Sequence, residues 1–300
     1  MMDTPLTAWI GPFETPLVHL GGPFVLSPFG ILVAIGFAAG ISVAKRRARA
    51  QMLDDRWIQG ARLWLVRGAL VGGHWGHALF YEPAYYFKNP VEMLFFWEGL
   101  SSTGGFLACI ALMVFYFRKA GKSFVLYGDC LAYGLPTGFF FGRLGCFAVS
   151  DHPGTVSEFP LAVHGIHPMP RVLCLENGID YGGEPLNAVC QQFSAQTALH
   201  DLGLYEALFM ALLAGAFFWL GRTPRRPGFF LGFLAVAYAV VRFFLDFLRS
   251  TYGPDVRYEL GFLPGLTPSQ FFCLGLFFVG FWILSRNWSL KSDARRVPKG

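Results

Sequence analysis

Apolar residues in this chain form long unbroken runs separated by short polar segments. A stretch of about 20 apolar residues is long enough to cross a bilayer as a helix. Seven runs approach or exceed that length, and this pattern predicts an all-α, polytopic membrane protein with seven transmembrane helices. The predicted spans are residues 24–44, 58–81, 99–117, 124–149, 201–221, 228–249 and 268–285.

Composition supports the membrane class. Apolar side chains make up 54% of the chain and charged ones only 14%, against about 25% charged residues in soluble domains. Aromatic residues reach 17%. These values exclude a disordered chain, a coiled coil and an ordinary soluble enzyme, and six cysteines in 300 residues do not make a disulfide scaffold.

The distribution of basic residues predicts the orientation. Sixteen of the 24 lysines and arginines lie in the segments after the first, third, fifth and seventh spans, and only Lys88, Arg171 and Arg257 lie in the other loops. Cytoplasmic loops carry the excess of Lys and Arg, so we expect the N-terminus outside and the C-terminus in the cytoplasm. The net charge of +5 is then a topology signal, and we expect no nucleic-acid partner.

The organisation predicted is a single seven-span membrane domain at 1–285 followed by a basic cytoplasmic tail at 286–300. Within the domain, 150–200 is the longest stretch between spans and is expected to form a small, partly ordered extracytoplasmic cap. Cys174 and Cys190 lie there, on the oxidising side of the membrane, where a disulfide between them is possible. The first 23 residues contain no Lys or Arg, so we expect the first span to be retained and not cleaved as a signal peptide.

Charged residues inside the apolar runs are the candidates for function, because each is costly in a membrane unless it is paired or hydrated. Arg143 lies in Gly142-Arg143-Leu144-Gly145 near the outer end of the fourth span. Glycines permit close approach of a ligand, and the guanidinium fork suits phosphate. The alternative is a structural arginine that pairs with an acid. A polar turn containing Asp151, His152 and Gly154 follows.

The sixth span carries Tyr238, Arg242, Asp246 and Arg249, at spacings of 4, 4 and 3 residues. These spacings place the four side chains along one helical face. Arg242 and Asp246 can form a purely structural ion pair. The net positive stripe can instead face Arg143 and form a pocket for an anionic headgroup.

Two further clusters contain titratable residues. In His200-Asp201-Leu202-Gly203-Leu204-Tyr205-Glu206, at the start of the fifth span, Asp201 suits a helix cap and Glu206 can hold an arginine. His200 is either an acid–base group or a solvated loop histidine. In the second span, His74 and His77 share a face, but no third ligand stands at a fixed spacing, so we expect no metal.

These motifs, in this order, resemble the prolipoprotein diacylglyceryl transferase family over about residues 25–285. The family signature G-R-x-G-N-F-x-N-x-E-x-x-G aligns with the segment from Gly142 to Gly154, and H-P-x-Q-L-Y-E aligns with the segment from His200 to Glu206. The other matching positions are Tyr238, Arg242, Asp246 and Arg249 for Y-x-x-x-R…E…R, Trp97-Glu98-Gly99 with Gly104-Gly105 for W-D-G…H-G-G, and Asp129.

The chain departs from the family pattern at several polar positions. Thr103 replaces the histidine that precedes the two glycines, and Cys146 and Val149 replace the two asparagines of the signature. His74 replaces an arginine, and Phe29 replaces a tyrosine of the first span. The two central arginines and the glycine turn remain, so the chain resembles a divergent member.

The resemblance implies a bacterial inner-membrane enzyme of lipoprotein biogenesis, with no cofactor. Such an enzyme moves diacylglyceryl from phosphatidylglycerol to the lipobox cysteine thiol of a preprolipoprotein, in contact with membrane lipids. It implies that Arg143 and Arg242 act in catalysis, and the base is expected to be His152, His74 or His200, in that order. The substrate-binding residues implied are Gly142, Gly145, Asp151, Gly154, Tyr238, Arg249, His200, Glu206, Thr103, Gly104 and Gly105.

Because several polar positions are replaced, two alternatives stay open. One is a related membrane enzyme that uses the same anionic lipid with a different acceptor. The other is a non-catalytic lipid-binding or transport paralogue.

Overall fold

The structure is a computed structural model that describes residues 18–21, 24–95, 99–150, 152–164, 198–249 and 265–286. Eight α-helices, two 3-10 turns and five short strands lie in these residues. The helices are α1 Pro28–Ala50, α2 Arg56–Phe80, α3 Pro83–Lys88, α4 Ser102–Lys119, α5 Phe124–Val149, α6 Leu202–Leu220, α7 Phe229–Leu245 and α8 Pro268–Ser285. The 3-10 turns are Pro90–Leu94 and Asp246–Leu248.

The long helices lie where the apolar runs predict them. The bounds of α5 and α8 are those predicted, and the other five long helices differ from their predicted spans by one to six residues at each end. Within the described part of the chain, four segments are long and apolar enough to cross a membrane: α1, α6, α8 and Phe229–Leu248, which is α7 with its 3-10 turn. The mostly helical, membrane-spanning architecture is thus confirmed, whereas the count of seven spans and the orientation stay predictions.

Outside the helices the structure differs from the all-α prediction, because two small antiparallel sheets lie there. One pairs β1 (Val18–Gly21) with β2 (Phe24–Leu26), and the other has the order β3-β5-β4, with β3 Pro153–Val156, β4 Val163–His164 and β5 Ala198–Asp201. Strands of two to four residues are too short to give an alternating pattern in the sequence.

The second sheet lies in the segment expected to form the cap. Residues 165–197, with Cys174 and Cys190, lie outside the described residues, as does most of the tail, at 287–300. The cap as a whole, the disulfide and the tail therefore stay predictions.

A short connection after α2, which the sequence analysis did not predict, consists of α3 and the first 3-10 turn. Pro83 and Pro90 stand in the first turn of these elements, where proline fits because the N–H it lacks has no helical partner. The His74 ring is fully buried and its Nε2 lies 3.2 Å from the Glu92 carbonyl oxygen. This contact fastens the connection to α2.

The chain packs as two compact units. The first comprises residues 1–38, 137–213 and 244–253, and the second comprises 39–136, 214–243 and 254–300. The first unit holds Arg143 and the β3-β5-β4 sheet, and the second holds α2, α4 and Arg242. The prediction of one domain over 1–285 stays a prediction.

In the second unit, α2 and α4 approach closely through small residues. A Cβ added to Gly72 would overlap Ala108, and one added to Gly76 would overlap the backbone of Gly104. Small residues four apart on both helices let two helix backbones meet, which is a common means of association in membranes. Gly104, for which the resemblance implies substrate binding, has this packing role.

Two charged side chains of the second unit, Arg47 and Asp129, interact with the ends of two helices. The Arg47 guanidinium donates to the Gly221 carbonyl oxygen at 3.0 Å, just beyond the C-terminus of α6. Asp129 accepts from the Leu231 backbone N–H at 3.0 Å, in the first turn of α7. A cation at a helix C-terminus and a carboxylate at an N-terminus both complement the helix dipole. Asp129 therefore has a structural role in the start of α7.

Candidate functional site

The side chain of Arg143 forms a buried ion pair in the first unit. Its Nε lies 2.9 Å from Oε2 of Glu206, and the two side chains are only 4% and 1% exposed. The guanidinium also lies 4.9 Å from the centre of the Phe139 ring. The pairing with an acid that the alternative interpretation of Arg143 describes is therefore present, and Glu206 is that acid, as predicted. A role of Arg143 in catalysis stays a prediction.

This pair sets the electrostatics of the site. Removing two charges from water costs several kcal/mol per ion, and mutual attraction offsets that cost only when the geometry is good. Arginine carries five N–H donors, so an ion pair through Nε does not exhaust them. The Glu206 carboxylate therefore offsets the charge of the buried guanidinium.

Glycines of the motif shape the space around Arg143. A Cβ added at Gly142 would meet no atom of the described residues within 4 Å, so this position is open. Gly145 is closed instead, because a Cβ there would lie 3.2–3.3 Å from Phe29. Cys146 Sγ lies 3.9 Å from an Nη of Arg143, so the cysteine that replaces the family asparagine is the guanidinium's neighbour one helical turn on.

Three backbone segments of the first unit meet at Gly154. Pro153 of β3 pairs with Asp201 of β5, and Gly154 forms an isolated bridge with Arg249. A Cβ at Gly154 would lie 2.6 Å from the Leu248 carbonyl oxygen and 2.7 Å from the His200 Cβ. Because neither neighbour can move without shifting backbone, only glycine fits here.

Arg249 does not lie on the helical face predicted for it. Helix α7 ends at Leu245, and Asp246–Leu248 is a 3-10 turn. Arg249 follows in extended conformation, at φ −66° and ψ 139°. The apolar run continues through this turn, so its periodicity gave no sign that the helix tightens. Arg249 nevertheless lies in the same unit as Arg143, beside Gly154.

The end of β5 and the first turn of α6 also lie in the first unit. Asp201 Oδ1 accepts from the Leu204 backbone N–H at 2.9 Å, which confirms the predicted helix cap. A Cβ on Gly203 would lie 2.8 Å from the Phe147 backbone nitrogen, so this turn packs directly on α5. One ring nitrogen of His200, Nδ1, lies 2.8 Å from the Tyr205 hydroxyl.

Comparison with known proteins decides the family. The model of the family described as prolipoprotein diacylglyceryl transferase matches residues 16–286. This chain belongs to the prolipoprotein diacylglyceryl transferase family.

Curated relatives agree over almost the whole chain. Proteins named phosphatidylglycerol–prolipoprotein diacylglyceryl transferase are 31% identical in Nitratidesulfovibrio vulgaris (strain Miyazaki F), over 89% of this chain and 91% of the relative, and 31% identical in Janthinobacterium sp., over 87% and 90%. A third, from Idiomarina loihiensis, is 30% identical over 93% and 95%.

The remaining residues implied by the transferase resemblance lie in the second unit. Arg242 and Tyr238 are buried on α7, and the Tyr238 and Phe106 rings are 5.8 Å apart. Thr103, Gly104 and Gly105 are buried in the first turn of α4. The convergence of Arg143 and Arg242 on one headgroup stays a prediction.

The three candidate bases of this transferase family member have different surroundings. His152 is half-buried, and its carbonyl oxygen accepts from the Leu202 backbone N–H at 3.2 Å. His200 is half-buried in β5. His74 is fully buried against the connection after α2, which leaves it no route to a substrate without a structural change. Asp151 lies outside the described residues.

Sequence reasoning missed Gln270, a fully buried amide at the start of α8. Its side chain forms a capping box with Thr267 and donates to the Phe243 carbonyl oxygen at 3.3 Å, next to Arg242. The signal was present in Thr267-Pro268-Ser269-Gln270, a capping-box pattern with proline at the first helical position. Gln270 joins α8 to the backbone that carries the second arginine.

Proposed function

We propose that this chain transfers diacylglyceryl from phosphatidylglycerol to the lipobox cysteine thiol of preprolipoproteins, in the inner membrane of a bacterium. Family membership and the names of the relatives support the reaction. The apolar helices support a lipid substrate that reaches the site from the bilayer.

The observation that carries the proposal is the state of Arg143. A guanidinium held inside an apolar helix, at the arginine of the family signature, suits the phosphate of a lipid headgroup. Arginine binds phosphate through two parallel N–H donors.

In the reaction proposed, the thiolate sulfur attacks the glyceryl carbon that carries the phosphate ester. A carbon–sulfur bond forms, the carbon–oxygen bond breaks, and glycerol phosphate leaves with the electron pair. Arg143 stabilises the charge that develops on the leaving phosphate, and the family resemblance implies the same role for Arg242. Holding lipid and thiol in one site converts a rare encounter into a positioned one.

The proposed topology places this site towards the outer leaflet. Seven spans with the N-terminus outside put the C-terminal end of α5, with Arg143, on the extracytoplasmic side. The glycine turn at Gly154 and the β3-β5-β4 sheet lie beyond that end of α5 in the chain. A secreted preprolipoprotein would then meet the lipid headgroup beneath the cap.

The direct test uses purified protein, phosphatidylglycerol vesicles and a lipobox peptide. We expect the peptide to gain the mass of one diacylglyceryl group as a thioether, and glycerol phosphate to be released in equal amount. A serine-for-cysteine peptide and vesicles of phosphatidylethanolamine are the controls. No thioether, under conditions in which a related transferase makes it, would contradict the proposal.

A second candidate function is transfer to an acceptor other than the lipobox cysteine. The replacements at Thr103, Cys146 and Val149 remove polar groups of the family pattern, and Cys146 lies next to Arg143. Glycerol phosphate release with membrane extract, but not with the lipobox peptide, would indicate such an acceptor. Lipid binding that depends on Arg143 without release of glycerol phosphate would indicate a lipid-binding paralogue.

A further inference from the structure

His200 and Tyr205 form a hydrogen-bonded pair at the start of α6. Nδ1 of His200 lies 2.8 Å from the Tyr205 hydroxyl oxygen, and that hydroxyl lies 3.4 Å from the Leu161 carbonyl oxygen. The Phe159 ring packs edge-on to Tyr205 and lies 6.1 Å from the His200 ring. Both side chains are thus held from two sides.

The chain of contacts selects a tautomer of His200. A carbonyl oxygen can only accept, so the single proton of the Tyr205 hydroxyl goes to Leu161. The phenolic oxygen then accepts from Nδ1–H of His200. In that tautomer Nε2 holds the ring's lone pair, which is the arrangement that a general base requires, with a third group that orients it.

His200 and Arg143 each contact a residue in the first turn of α6. Glu206, which holds Arg143, is the residue after Tyr205, which holds His200. Gly203, between them, packs against Cys146 and Phe147 of α5. One rigid turn thereby sets both the lipid-binding arginine and the imidazole.

The protonation state of His200 suits a base. Burial removes water from the charged imidazolium and lowers the pKa of His200 from its ordinary value. The other titratable or charged groups on the elements around it are Tyr205 on α6, Asp201 on its own strand, His152 and Glu158 in the β3 segment and Arg249 beside Gly154. At neutral pH the ring is therefore mostly neutral and able to take a proton.

We propose that His200 is the general base of the transfer reaction and that Tyr205 positions it. This inference rests on the proposed function and adds the residue that activates the acceptor. Nε2 takes the proton of the acceptor thiol, and the thiolate displaces glycerol phosphate. The imidazolium then returns its proton to solvent. The histidine that the family carries at position 103 is Thr103 here, so the base has to come from elsewhere.

The test is the pH dependence of kcat in wild type and in His200→Gln. In wild type, kcat is expected to rise with pH as His200 loses its proton, at a pKa below the ordinary histidine value, and then to level off near neutral pH. Without the base, the rate follows the fraction of free thiolate and keeps rising, about tenfold per pH unit, until the thiol pKa of about 8.5. We expect a loss of about 100-fold at pH 7 that shrinks to a few-fold at pH 9.

Three further variants complete the experiment. Tyr205→Phe is expected to lower kcat about tenfold with little change in KM for phosphatidylglycerol, because only the orientation of the ring is lost. His77→Gln, a matched change in the second unit, is expected to keep the wild-type profile. His152→Gln decides between the two outer histidines: a lost plateau in that variant, with a normal profile in His200→Gln, would overturn the inference.

Folding and function are separated by two readouts. Each variant is also tested for the rise in Tm that phosphatidylglycerol produces, so a misfolded protein is recognised and replaced by His200→Asn. An inactive wild type would contradict the proposed function. An active wild type with an unchanged pH profile in both His200 variants would contradict only the role of His200.

Discussion

At the scale of single residues, the ion pair of Arg143 and Glu206 is expected to affect both activity and stability. The two side chains lie on different helices, α5 and α6, and neither is exposed to more than 4%. An unpaired buried charge is far costlier than an apolar pair of the same shape. The pair therefore offers two separable tests, one of the fork and one of the charge.

Replacing Arg143 by lysine tests the fork. The charge is kept but two parallel donors become a single ammonium, so we expect Arg143→Lys to lose at least about 100-fold in kcat/KM, a magnitude typical of removing one stabilising donor. Transfer is measured as thioether formation. Arg118→Lys, at the end of α4, is the matched control, and wild-type rates in Arg143→Lys would show that only its charge matters.

Removing one partner or both tests the charge. We expect Glu206→Leu to destabilise the protein by about 3–5 kcal/mol, because it leaves Arg143 buried without its carboxylate. The double variant Arg143→Leu with Glu206→Leu should recover most of the stability that Glu206→Leu loses, while staying inactive. Thermal unfolding in detergent checks both, and an equal Tm for Glu206→Leu and wild type would mean that the pair contributes little.

At the scale of elements, small residues decide how helices approach. Gly76 of α2 lies against the backbone of Gly104 in α4, and backbone cannot move aside as a flexible side chain can. Helix contacts of this kind depend on van der Waals packing, since bilayer and helix surface are equally apolar. The contact thus depends on the absence of one methyl group.

Alanine at Gly76 is expected to lower stability by about 1–3 kcal/mol, the cost of overpacking a close contact. The matched control is Gly215→Ala in α6, where an added Cβ would meet nothing within 4 Å and alanine favours the helix. Apparent Tm of the two variants is compared. If Gly76→Ala unfolded no earlier than Gly215→Ala, α2 and α4 would not depend on this approach.

The sequence predicts long elements well and short ones poorly. Runs of about 20 apolar residues locate every long helix, and α5 and α8 have their predicted bounds. The sheet at Gly154 is formed by strands that are distant in the chain, which no local pattern reveals. The neighbouring strands Val18–Gly21 and Phe24–Leu26 are too short to give an alternating pattern. The 3-10 turn at Asp246–Leu248 is not visible in the sequence because the apolar run continues through it.

The candidate site is also predictable only in part, with its charged residues visible in the sequence and their partners not. Arg143, Glu206 and Asp201 are recognisable because charge in an apolar run needs a reason. The partner of each could not be assigned from spacing alone, since Glu206 is 63 residues from Arg143 in the chain. The pair formed by His200 and Tyr205 depends on side-chain orientation, which the sequence does not contain.

At the scale of the whole molecule, the distribution of charge predicts how the chain crosses the membrane. Basic residues gather after every second span, and such residues are retained on the cytoplasmic side. The mostly helical architecture fits this arrangement. The orientation matters for function, because it decides which leaflet supplies the lipid.

Reporter fusions test this orientation. A fluorescent protein that matures only in the cytoplasm is fused after Lys122, after Arg226 and at the C-terminus, and we expect fluorescence from all three. The same reporter fused after Asn89 or Phe159 should give no fluorescence. An enzyme that is active only outside the cytoplasm should show activity when it is fused at those two positions. The reverse pattern would invert the topology.

The turn from His200 to Glu206 has a consequence for natural and designed variation in chain length. Each residue of a helix advances the chain by about 100° around its axis. One extra residue after Asp201 would swing the phenol away from the imidazole and the carboxylate away from the guanidinium in a single step. Insertions and deletions should therefore be absent from this heptapeptide and occur in the connections elsewhere.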